Sequence, residues 1–130
     1  MSFHQKVALA YAAILFAVAA INYIPGLTDP DGLAFGIFAL DIFDDLLHLA
    51  SGLWALAAAL ISARAARNFL LIFGALYLAD GLMGLAVGSG YLDLGIINNG
   101  VLDLPFTFKI MANAPHILLG GVALWAGLRK

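Results

Sequence analysis

Apolar residues in this chain fall into four long blocks with polar punctuation between them. The blocks run from about Val7 to Ile24, from Ile42 to Ile61, from Asn68 to Val87, and from within Phe106–Asn113 to Leu128. Each is near the roughly 20 residues that cross a hydrocarbon core of ~30 Å as a helix. Alanine and leucine dominate, and no period-two alternation interrupts them, so helices are predicted and not a barrel. Only Ser62–Arg67 separates the second block from the third, which fits an antiparallel helix turn. The expected fold is an all-α membrane protein. Four transmembrane helices form one domain over residues 1–130, an up-down bundle of two hairpin repeats.

Composition strengthens that reading. Of 130 residues, 64% are hydrophobic and 11% charged, and mean hydropathy is +1.02. Soluble domains carry about 25% charged residues. A core built by so short a chain cannot hide this much apolar surface from water, so the lipid bilayer is its first partner. A net charge of -2 gives no case for nucleic acid. The absence of cysteine excludes a disulfide, a thiolate metal site and a c-type haem attachment.

Lys6, the apolar run after it and Ala17-Val18-Ala19 have the outline of a secretory signal. The run continues to Ile24, which favours a signal anchor that is itself the first span. Basic residues set the orientation. Lys6, Arg64, Arg67, Arg129 and Lys130 share one side of a four-span topology, and only Lys109 lies on the other. The positive-inside rule makes the basic side cytoplasmic, with both termini inside the inner membrane. Asp29, Asp31, Asp41, Asp93 and Asp103 mostly go outward.

The two outer loops, Pro25–Asp41 and Gly88–Phe106, exceed the ~4–6 residues of ordinary connections. They are rich in glycine yet also carry Leu33, Phe35, Ile37, Phe38, Ile96, Ile97, Val101 and Leu102. Such residues are expected on the membrane surface or capping the bundle. A lid over a site is the functional alternative.

One polar device occurs twice. Asp45-x-x-His48-x-x-x-Gly52 opens the second span, and Asn113-x-x-His116-x-x-x-Gly120 opens the fourth. One offset superposes the two, and Ala55-Leu56 then meets Ala123-Leu124; Tyr11 and Tyr77 match less closely. The halves thus read as a parallel repeat about an axis normal to the membrane. His48 and His116 are expected at one depth, about 9 Å below the outer end.

Helical spacing gathers more groups there. Asp41, Asp44 or Asp45, His48, Ser51 and Gly52 make a polar stripe on the second span. Asn113 and His116 do the same on the fourth. Asp80 lies in the third, beyond its midpoint toward the outer side, and Asn22 and Tyr23 close the first at that end. The candidate ligand-binding set is therefore Asp44, Asp45, His48, Asp80, Asn113 and His116, with no catalytic residue assigned. His48, His116, Asp45 and Asp80 form a mixed nitrogen and oxygen set for a metal ion, without an H-E-x-x-H string. A b-type haem between His48 and His116 is a further reading, against which stand the carboxylates crowding both histidines. A proton or cation relay is the third chemistry.

Plainer roles compete with each. Asp41 and Asp44 suit helix caps, and the histidines suit inter-helix glue. Asp80 needs a partner, expected among His48, His116, Asn22 and Asn113. The glycines and alanines read as close helix packing, and Trp54 and Trp125 as interfacial or core anchors. Pro115 either starts the last helix or kinks it.

These residues carry a resemblance. Gly36-Ile37-Phe38, Asp45-x-x-His48-Leu49-x-x-Gly52-Leu53, Ala63-Arg64, Ala66-Arg67 and Asn113-x-x-His116-x-x-x-Gly120 resemble a bacterial four-helix membrane family catalogued as a domain of unknown function. The resemblance covers about Val7 to Gly127. It implies four spans and supplies no activity. That family more usually has Asn three before the first histidine, so Asp45 puts a charge where an amide is common.

The expectation is a non-enzymatic membrane module whose polar site, near the outer face, takes a metal ion, small ligand or proton. The alternative is a structural or accessory subunit, in a homo-oligomer or larger membrane complex, whose His/Asp cluster only cross-links helices. A b-type haem protein or small membrane enzyme comes third.

Overall fold

The computed structural model describes residues 1–30, 33, 42–92 and 94–130, without the side chain of Asn22. Expectations for Asp31, Asp41, Asp93 and the apolar residues 35, 37 and 38 lie outside the described residues.

Helix α1 spans Phe3–Ala20 and passes into a 3-10 turn at Ile21–Tyr23. It begins earlier than the apolar block because Ser2 and Gln5 form a capping box. The Gln5 amide N–H donates to Ser2 Oγ at 3.1 Å, and Ser2 N–H to Gln5 Oε1 at 2.9 Å. Helix α2 spans Ile42–Ile61 and α3 spans Ala63–Val87. Ser62 alone separates them, its hydroxyl accepting from Ala65 N–H at 3.0 Å. That N-cap starts α3 five residues before the expected Asn68, so Arg64 and Arg67 stand on its first turns and not in a linker. Gly88 closes α3 at φ 86°, a left-handed conformation suited to glycine.

A short helix α4, Gly95–Asn99, lies within the connection from Gly88 to the last helix. Helix α5 spans Phe106–Leu128 with Pro115 inside it, so the proline does not start the helix. It withholds the N–H that would reach Met111 one turn earlier.

Two pairings dominate, α1 on α2 and α3 on α5. The second is made by glycine. A Cβ at Gly74 would lie 2.8 Å from the Gly120 carbonyl oxygen, and one at Gly120 would lie 2.8 Å from the Gly74 carbonyl oxygen. The two backbones therefore touch, as small residues permit in membranes.

The core is an aromatic column on one face of α3. Phe69, Phe73 and Tyr77 recur every fourth residue and so share that face. Phe69 stacks on Phe73 at 5.0 Å and Phe73 on Tyr77 at 3.9 Å between ring centroids. Tyr11 and Trp54 meet the column edge-on. Leu46, Leu49 and Leu53 on α2, and Leu118, Val122 and Trp125 on α5, are exposed. Four helices among the described residues are long and apolar enough to cross a membrane, with these side chains left for lipid. The chain is a multi-pass membrane protein.

At the end carrying both termini, the Arg129 guanidinium sits 4.7 Å above the Phe3 ring. Arg67 Nε donates to the Gly127 carbonyl at 2.8 Å, tying α3 to the end of α5.

Candidate functional site

Tyr77 tops the aromatic column and forms a floor beneath two imidazoles. Its ring centroid lies 6.4 Å from that of His48 and 5.1 Å from that of His116. The two histidine rings meet edge to face at 5.9 Å. They come from α2 and α5, which touch only through side chains. Both rings therefore point into the bundle and meet there.

Above this floor lies a cavity of about 370 Å³. Asp44, His48, Asp80, Asn113 and His116 line it, five of the six candidates. Its roof comes from Gly88–Gly90, Gly95, Asn99 and Leu102 of the loop around α4. The loop is thus in part the cap that its apolar residues suggest. Leu102 faces the cavity, whereas Ile97 and Val101 are exposed.

Asp80 joins three elements. Its Oδ2 lies 2.5 Å from His116 Nδ1. An ionised carboxylate only accepts, so the ring nitrogen donates, and a neutral His116 keeps its lone pair on Nε2. Oδ1 accepts from the backbone N–H groups of Tyr91 and Leu92 at 2.9 and 3.0 Å. The Tyr91 hydroxyl donates to the Leu76 carbonyl at 2.8 Å. Gly90 lies so close that a Cβ there would stand 2.7 Å from the Asp80 carboxyl carbon. Burial, and then the charge on Asp80, push the Tyr91 phenol above its ordinary pKa.

Asp45 is the candidate that lies elsewhere. One residue of helix turns the side chain by about 100°, away from the Asp44 direction and toward the end of α1. There Asp45 Oδ2 accepts from the Tyr23 hydroxyl at 3.1 Å, in a groove with Phe16, Leu46 and Leu49. The hydrogen bond to Asp45, and then its charge, raise the Tyr23 phenol pKa. Asn113 does line the cavity, but its amide nitrogen donates to the Lys109 carbonyl of its own helix at 2.8 Å. The two motif positions three before the histidines are thus used differently.

The proposed metal set is split by the same turn of α2. Among the described residues, no three His, Asp or Glu side chains converge as metal ligands.

Three contributors escaped the sequence reading as site residues. Tyr77 carries a signal, lying three residues before Asp80 and so on its face of α3. The amides of Tyr91 and Leu92 carry none, because backbone donors leave no residue type to recognise.

No curated protein and no solved structure matches the chain. The family described as Domain of unknown function (DUF4383) matches residues 5–103. That stretch includes the first histidine motif, Asp80 and the roof residues Gly88–Gly90, Gly95, Asn99 and Leu102, and ends before α5. The match spans well over half of the 130 residues, and the chain belongs to this family of unknown function.

Proposed function

We propose that this protein is a non-enzymatic membrane module that holds a small ligand in the outer half of its bundle. The cavity of about 370 Å³ carries the reading. Its size falls within the roughly 300–1,000 Å³ of small-molecule sites. It also has their usual chemistry, a mostly apolar wall with a few convergent polar groups. The positions of Lys6, Arg64, Arg67, Arg129 and Lys130 favour cytoplasmic termini in a bacterial inner membrane, with the cavity toward the outside.

We read the two hairpins as repeats. The Tyr11 hydroxyl on α1 donates to the Leu119 carbonyl at 2.5 Å, and the Tyr77 hydroxyl on α3 meets Ser51 Oγ at 3.2 Å. Leu119 and Ser51 each lie three residues beyond their motif's histidine. The equivalence of these crossed contacts supports a two-fold axis along the membrane normal.

The three hydrogen bonds of Asp80 favour a second reading, in which the cluster only fastens helices and loop. Native mass spectrometry of gently solubilised protein separates the two. Ligand binding predicts an adduct of constant mass on the wild type that is lost from Ala112→Phe, whose ring fills the cavity. Equal adducts on both proteins, or none on either, would leave the fastening reading.

A further inference from the structure

Resting on that cavity reading, we infer that the ligand is a single-chain amphiphile with an ammonium head. The charge of the wall points there. Among the described residues its ionisable lining is Asp44, Asp80, His48 and His116, with no lysine or arginine. Two carboxylates and two imidazoles give a wall that is negative or neutral, and never positive, while the carboxylates are ionised.

The hydrogen-bonding pattern points the same way. His116 is held through Nδ1 by Asp80, so its neutral ring offers Nε2 as an acceptor. Asp44, only 6% exposed, places a second carboxylate in the same wall. Ser89, Asn99 and Asn113 also line the cavity and can donate, but the charged groups there that stay ionised are carboxylates, which favour a head that donates. A hydroxyl head gains hydrogen bonds here, and an ammonium head gains charge-assisted ones. A carboxylate head sets like charges together in an apolar space, which disfavours its charged form.

The rest of the cavity suits a tail. Val18, Ile21, Leu104, Phe108 and Leu119 supply apolar surface. The volume of about 370 Å³ is modest. It accommodates one short alkyl chain within its walls.

The test uses three water-soluble probes of equal chain length on the full protein in detergent: n-hexylammonium, n-hexanol and n-hexanoate. Melting temperature is followed against probe concentration. A saturable rise is expected for n-hexylammonium, at a midpoint about tenfold lower than for n-hexanol, as charge-assisted bonding implies. No saturable rise is expected for n-hexanoate. Asp44→Asn should shrink the advantage of ammonium over alcohol, and Ala112→Phe should abolish both responses. The wild-type ranking decides the matter even if a variant does not fold. Equal midpoints for ammonium and alcohol, or a response to n-hexanoate as strong as to ammonium, would overturn the ammonium inference and leave the cavity reading standing. No saturable response to any probe would overturn both.

Discussion

Asp80 shows how one residue type acquires its meaning from its neighbours. An aspartate deep in an apolar helix must be paired, and the sequence narrows the partner to four candidates. The structure selects His116 and adds two loop amides. The choice was not legible because the motif spacing puts His48 and His116 in like positions on their helices, and only side-chain direction separates them. A double-mutant cycle tests the pairing. Asp80→Asn and His116→Gln should each destabilise the protein in detergent, with a coupling of about 1–3 kcal/mol between them, since removing either leaves a buried group unsatisfied. Additive thermal effects would sever the pair. Asp45 gives the opposite lesson. Asp44 and Asp45 both lie within one turn of His48, so spacing admits either to the site. The turn of α2 gives Asp44 to the cavity and Asp45 to Tyr23. Because the Tyr23 pKa is raised, this hydrogen bond contributes below the ordinary phenol range and is lost as pH rises through the raised value. In a spectrophotometric titration, with Tyr23→Phe subtracted, Asp45→Asn should bring the Tyr23 transition down toward its ordinary position. An unmoved transition would remove Asp45 as its cause.

At the scale of elements, the four spans were legible because apolar length alone announces them. Their ends were less so, since caps decide them. Ser2 with Gln5, and Ser62, extend α1 and α3 beyond the apolar blocks. The α3–α5 crossing depends on bare backbone at Gly74 and Gly120. Gly120→Ala forces the helices apart and should cost about 1–3 kcal/mol, as overpacking does. Gly121→Ala, where a Cβ would meet nothing within 4 Å, is the control and should leave the melting temperature nearly unchanged. Equal effects would refute the glycine contact. The roof loop is fastened by Asp80 through the Tyr91 and Leu92 amides. Hydrogen exchange at those two amides should quicken by roughly tenfold or more in Asp80→Asn, the loss expected for bonds to a charged acceptor. Unchanged protection would mean the loop holds its place without the carboxylate.

For the whole molecule, the sequence predicts a His/Asp cluster toward the end of the bundle away from the termini. It does not reveal the empty space above that cluster. A cavity is a property of what four helices and a loop fail to fill, and no residue pattern announces it. The topology is open to direct labelling, because the chain has no cysteine of its own. A cysteine at Asn99 should react with an impermeant reagent in whole cells, and one at Ala65 should not; the reverse would invert the orientation.

The central claim is a small-molecule cavity walled by His48 and His116. The chain holds three histidines, and the third, His4, lies at the far end of the bundle against the Arg129 carbonyl. Side-chain nitrogen NMR of the histidine-labelled protein therefore carries its own control. On titration with n-hexylammonium and with n-hexanol, saturable shifts of the His48 and His116 ring signals are expected with at least one probe, while His4 stays still. Movement of all three rings together, or no saturable movement of His48 and His116 with either probe, would contradict it.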